Sequence, residues 1–233
     1  MDNKELNSNL KKLWKKNEEI LKDFYGGKNK VLSPMVFSED EKISDIDILF
    51  VGMNPSFSEQ TITKYKVKPS IFYFNNYDLK KDEMIKYEKI PKDDSFFNKI
   101  NEVSGKYSKK IIDLFFIRKT NQKDFVNNFM KKYEDFANAQ LELSLSLMRD
   151  SNLKLIVVVN AKATEIIKER YNIQEDDFDD EIGTYRIKIN NKKVPVIFSG
   201  MLSGQRALDN GSFRRLKWQI DSILSGKTMI KQI

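Results

Sequence analysis

The chain of 233 residues contains no cysteine and no histidine. The first absence excludes disulfides, thiolate metal sites and a cysteine nucleophile, and it fits a reducing, cytoplasmic location. The second removes imidazole bases, Ser-His-Asp triads and histidine-ligated zinc together. Catalysis of any kind is left to carboxylates, amides, hydroxyls, Lys, Arg, Tyr, backbone dipoles or a hard metal. No run of about 18 apolar residues occurs, so no membrane partner is expected. The opening Met-Asp-Asn-Lys-Glu-Leu lacks the layout of a secretory signal. Neither a G-x-G-x-x-G nor a G-x-x-x-x-G-K phosphate loop is present. There is no internal repeat and no Ser/Pro/Gly-rich linker. One domain spanning 1–233 is therefore expected, with an N-terminal helical extension over about residues 1–27.

What is present is a soluble, heavily charged composition: 40% hydrophobic, 32% charged, net charge +7. A basic balance permits a polyanionic partner. Beyond Ser199 the chain carries Arg206, Arg214, Arg215, Lys217, Lys227 and Lys231 against Asp209 and Asp221. Six acids crowd Glu175 to Glu181, which reads as a solvated loop turned away from any nucleic acid.

Ile46 to Val51 is a nearly continuous apolar run, the pattern of a strand buried on both faces of a parallel sheet. It empties into Gly52-Met53-Asn54-Pro55. Ligands of such sheets bind at the carboxyl ends of strands, and Gly52 permits backbone angles closed to other residues. Pro55 fixes the exit and biases Asn54 towards an extended conformation. Upstream, Leu6, Leu10, Leu13, Trp14, Leu21, Phe24 and Tyr25 keep helical spacing, stopped by Gly26-Gly27. Residues 57–69 read as a surface loop, 70–76 as an aromatic cluster, and the stretch to Pro91 as charged. Asp94 or Ser95 caps an expected helix ending at Gly105. Ile111–Ile117 reads as a second buried strand with Asp113 inside it. Helices are expected over 122–150 and 161–171, strands at 153–159, 185–189 and 194–197, and a basic helix from about Phe213. Alternating strands and helices predict an α/β fold, a three-layer α/β/α arrangement with a mostly parallel central sheet.

Three motifs in this order resemble the uracil-DNA glycosylase superfamily. Gly52-Met53-Asn54-Pro55-Ser56 is similar to the water-activating loop of its single-strand-selective and mismatch-specific branches. Ile111 to Thr120 resembles the strand whose side chain reads the flipped base. Phe198-Ser-Gly-Met-Leu-Ser203 sits where the family has a His-Pro-Ser-x-Leu-Ser or Asn-Pro-Ser-Gly-Leu-Ser loop. Asp94 to Ile100 and Leu155 to Ala163 add weaker likenesses, so the resemblance runs from about 45 to 223. The chain departs from the pattern at Phe198, or at Ser199 if the register shifts by one, where the family has its His or Asn, and the proline is absent.

The resemblance implies DNA as partner, no metal or other cofactor, and Asn54 orienting the water that attacks an N-glycosidic bond. An amide is no strong base, but it can hold a water in line with the anomeric carbon; a side chain that merely bonds the backbone of its own turn is the alternative for Asn54. Gly52, Met53, Pro55, Phe198 and Ser199 would line the base pocket, and Phe72 or Phe74 would stack on the flipped base; core packing is the alternative for either ring. Asp113 would read base N–H groups or cap a neighbouring loop. Gly200, Met201, Leu202, Ser203, Gln205 and Arg206 would meet DNA, Met201 and Leu202 as a wedge and the last three at phosphates. A helix-entry turn capped by Ser203 is the alternative for that loop. Two other functions stay open: a noncatalytic relative that binds nucleic acid or nucleobases, and an α/β enzyme acting on free nucleotides.

Overall fold

Hydrophobic strands of the middle and late sequence build a six-stranded sheet in the computed structural model, which describes residues 1–40, 46–89, 95–204 and 207–227. The helices and strands in chain order are α1 (Asn3–Lys16), α2 (Glu18–Tyr25), β1 (Ile48–Gly52), α3 (Glu59–Lys64), α4 (Tyr77–Lys89), α5 (Ser95–Ser104), β2 (Lys109–Asp113), α6 (Gln122–Asp124), α7 (Glu134–Arg149), β3 (Leu155–Val158), α8 (Ala161–Arg170), β4 (Phe178–Asp179), β5 (Thr184–Ile189), β6 (Lys192–Phe198) and α9 (Asn210–Leu224). The sheet order is β2-β1-β3-β6-β5-β4. Its centre is parallel, with Phe50 opposite Val157 and Val157 opposite Ile197. β6, β5 and β4 pair antiparallel. The β5–β6 hairpin turns on Asn190 and Asn191, both at positive φ (46° and 65°), a conformation that asparagine tolerates and that suits the twist of a two-residue hairpin. The mixed α/β class with helices around a mostly parallel sheet is the one the sequence predicts.

The chain divides into two compact units. The first comprises Met1–Lys42, Asn54–Pro91 and Asp113–Leu147; the second comprises Ile43–Met53, Lys92–Ile112 and Met148–Ile233. In the second, Phe50, Leu155, Val157 and Ile197 of the sheet pack with Ile100 and Val103 of α5 and Phe213, Leu216 and Ile220 of α9. In the first, Trp14 is fully buried, donates from Nε1 to Leu32 O at 2.9 Å and meets Phe136 edge-on at 5.4 Å. Phe72, Ile71, Tyr77, Met84 and Tyr87 form a further core there.

Several elements differ from expectation. The N-terminal helix is two, broken at Asn17, with Gly26 (φ 72°) ending the second as predicted. The expected loop 57–69 contains α3, capped by Ser58, and the charged stretch is α4. Residues 125–130 wind as a π-helix between α6 and α7. Phe72 and Phe74 do not alternate along a strand: they belong to successive 3₁₀ turns, Pro69–Phe72 and Phe74–Asn76, nucleated by Pro69. The strand expected over 111–117 ends at Asp113. Leu114, Phe115, Phe116 and Ile117 remain buried, which is why the run reads as a strand. Their backbone is satisfied by side chains instead of a ladder: Leu114 O accepts from Ser144 Oγ at 2.8 Å, and Phe116 N donates to Gln140 Oε1 at 2.9 Å. Asp94, one of the two expected caps of α5, lies outside the described residues.

Candidate functional site

Asn54 follows the sheet by two residues and belongs to the first unit. Its amide nitrogen donates to Lys119 O at 2.7 Å and Ile117 O at 3.2 Å, with Pro55 O at 3.4 Å. Three carbonyl oxygens around one end of the carboxamide require that end to be the NH₂. The opposite atom, Oδ1, accepts no hydrogen bond among the described residues and is not sealed from solvent. The same two segments are stitched further: Lys119 N donates to Pro55 O at 2.9 Å, and Thr120 Oγ1 donates to Phe57 O at 2.6 Å. Asn54 is thus an acceptor presented in a fixed pose by the 117–120 segment.

Between the two carbonyls that hold Asn54 comes Arg118, whose side chain is buried. Its Nη2 pairs with Glu88 Oε1 of α4 at 2.7 Å, and its Nε donates to Ser33 O at 3.2 Å. The guanidinium also lies over the Phe72 ring, 4.8 Å from the centroid. A planar fork that is always charged suits this combination of ion pair, backbone contact and ring face. Tyr25 closes the group by donating its hydroxyl to Arg118 O at 3.2 Å.

Asp113, at the end of β2, feels the same cluster. Burial pushes its carboxyl up from the usual 3.8 to about 7, the neighbouring Glu88 charge pushes the same way, and Arg118 opposes both. No hydrogen bond reaches that carboxyl among the described residues; only its backbone carbonyl is engaged, by Ser144 Oγ at 3.1 Å. Asp113 therefore does not cap a loop through its side chain. A carboxyl divided between its acid and its anion near neutral pH can donate or accept.

Asn54, Pro55, Phe72, Phe74 and Asp113 all fall in the first unit, and segment 113–119 ties Asn54, Arg118 and Asp113 into one stretch of structure. The two aromatic candidates separate. Phe72 is fully buried against Phe57, Tyr87 and Arg118, the core-packing alternative of the sequence reading, and offers no stacking face. Phe74 lines a 220 Å³ cavity with Lys11, Lys15, Lys28 and Tyr77 among others. Arg118 and Glu88 are the residues that sequence reasoning missed.

The second unit holds Gly52, Met53 and the 198–203 residues. Gly52 is the buried last residue of β1 and is not among the glycines at positive φ, so the turn does not draw on its conformational freedom. Met53 is also buried. The Phe198 ring packs on Tyr185 at 5.7 Å, with Lys168 Nζ 5.0 Å from the centroid of each ring. Ser199 N donates to Val158 O at 2.8 Å, extending the sheet by one bond. Beyond it the loop closes on itself: Leu208 N donates to Met201 O at 2.9 Å, and a Cβ on Gly200 would lie 2.9 Å from Leu208 Cδ2. Leu202 is buried in the core with Phe213 and Leu216, so it is no wedge for DNA; Met201 is half-buried. Ser203 does not cap the following helix, because Asp209 does, accepting from Gly211 N and Ser212 N. Gln205 and Arg206 lie outside the described residues. Among the described residues no group of three or more acids gathers as a metal site, and no helix is long and apolar enough to cross a membrane. The chain matches no protein-family model and no curated protein, so the arrangement of these residues is what carries a functional argument.

Proposed function

We propose that the protein binds DNA and hydrolyses the N-glycosidic bond of a deaminated or damaged base that has left the stack, with Asn54 positioning the attacking water. The observation that carries this reading is the pose of Asn54: its nitrogen is fixed by carbonyls of residues 117 and 119, and its oxygen accepts no hydrogen bond among the described residues. An immobilised acceptor holds one hydrogen of a water and so directs a lone pair towards C1′. The water oxygen bonds to C1′, the C1′–N bond breaks with its electron pair on the base, and the proton released by the water passes to solvent or to the departing base. Asp113, in its acid form, would donate a hydrogen bond to the base as negative charge grows there.

The test is cleavage of oligonucleotides that carry uracil, hypoxanthine or xanthine. At least one lesion is expected to yield an abasic site, and Asn54→Ala is expected to slow that step by about 100-fold while circular dichroism shows an intact fold. If no lesion is processed and Asn54→Ala behaves as the unaltered protein does, the hydrolase reading fails.

Phe198 and Leu202 favour a second reading, a nucleic-acid or nucleobase-binding protein without turnover. Where the resemblance calls for a polar donor, a phenyl ring packs on Tyr185, and the expected wedge is part of a core. Salt-dependent binding with no abasic product is its signature.

A further inference from the structure

The last helix buries one face and leaves an unusual one outside. Phe213, Leu216 and Ile220 of α9 enter the core, and Gln219 Nε2 donates to Gly183 O at 2.8 Å, which fixes the helix about its axis. Trp218 is therefore held outward and is 55% exposed. Arg214 and Arg215 precede it by four and three residues, so all three share one side of the helix, and Lys217 adjoins them. All three cations are exposed, and none has a carboxylate partner among the described residues. The nearby acid Asp221 is engaged by the Tyr107 hydroxyl at 3.0 Å.

We infer that this face of α9 binds single-stranded nucleic acid, an unpaired base stacking on Trp218 while Arg214, Arg215 and Lys217 take the flanking phosphates. A flat ring among unpaired cations is the pairing that single strands require, because a base exposes its π-face only when it is unstacked. An anionic membrane would call for an apolar stripe on the outer side of the helix; α9 instead offers one exposed aromatic ring, Phe213, Leu216 and Ile220 being buried and Ile223 and Leu224 packed, partly buried, against the same core. The inference deepens the function proposed above: it rests on the nucleic-acid partner of that reading and is independent of its bond cleavage.

Two tryptophans make the test direct. Trp14 is fully buried and hydrogen-bonded, so changes in quenching report Trp218. Titration with a short oligothymidylate at low salt is expected to quench tryptophan emission and protect it from acrylamide; a duplex of equal length should do so less. Trp218→Phe should remove the optical response, and Trp218→Ala should weaken binding about tenfold. The pair Arg214→Glu and Arg215→Glu should weaken it more and flatten the salt dependence. Binding that these variants leave unchanged overturns the inference. So does a fluorescence response to phosphatidylserine vesicles and none to the oligonucleotide. If the oligonucleotide binds and quenches but no lesion is cleaved, the hydrolase reading falls and this surface stands; lesion cleavage with unaltered binding by the α9 variants gives the reverse.

Discussion

Asn54 and Leu202 both lie in loops that follow parallel strands, β1 and β6, and they meet opposite fates. The amide is pinned through its nitrogen by carbonyls of residues 117 and 119 and keeps its oxygen without a hydrogen-bond partner among the described residues. Leu202 is drawn into the core beside Phe213 and Leu216. The difference is one of chemistry. A polar side chain that finds backbone partners is held in one orientation at the surface, whereas an apolar side chain in a short self-closed loop gains more by leaving water. Two loops that both resemble family motifs therefore hold their side chains in different ways.

The largest expected effect comes from the cation beneath the Asn54 segment. Arg118→Leu removes the ion-pair partner that Glu88 has in Arg118, with the contacts to Ser33 O and the Phe72 ring. Breaking such a pair from one side costs about 3–5 kcal/mol, measurable by urea denaturation. Unchanged stability would mean that the Asn54 pose has no buried support. Leu202→Ala comes next. A core residue should lose about 2–4 kcal/mol with DNA affinity unaltered, while a wedge residue would keep its stability and lose binding. The second outcome would erase the contrast with Asn54.

Part of this architecture is written plainly in the sequence. Leu155–Val158 and Ile48–Val51 are apolar on both faces, and Asn190-Asn191 marks the hairpin, so these elements stand near their expected places. The helix α4 is hidden because its buried residues, Tyr77, Met84 and Tyr87, are too sparse among charges to show a face. The end of β2 is hidden for a different reason. Hydrophobicity continues through Ile117 after the ladder stops, and only the long-range partners Ser144, Gln140 and Asn54 reveal the change. Arg118 had one faint mark. It is one of seven arginines among 41 basic residues, and an arginine in a lysine-rich chain suggests a place where a planar fork is needed. Glu88 had none, since its role depends on a partner 30 residues away.

The finest test of the contrast concerns Asp113, whose carboxyl is pushed up to about 7 by burial and by Glu88 against the pull of Arg118. Below pH 3.8 this group is protonated in both folded and unfolded chains and contributes nothing to pH dependence. Between that value and about 7 the folded chain retains a proton that the unfolded chain has released, so stability falls as pH rises and levels off above about 7. Asp113→Asn keeps the shape and removes the charge, and it should flatten that slope. A fully sealed carboxyl with this displacement would cost about 4 kcal/mol. Asp113 is only half-buried, so solvent screening lowers the expected gain of the variant at pH 8 to roughly 2 kcal/mol. Denaturation curves for the two proteins at pH 5 and pH 8 decide the matter. Parallel curves would make Asp113 an ordinary carboxylate. Convergence at low pH with separation at high pH would establish a second group in the unit that holds Asn54, kept near the balance of its two protonation states.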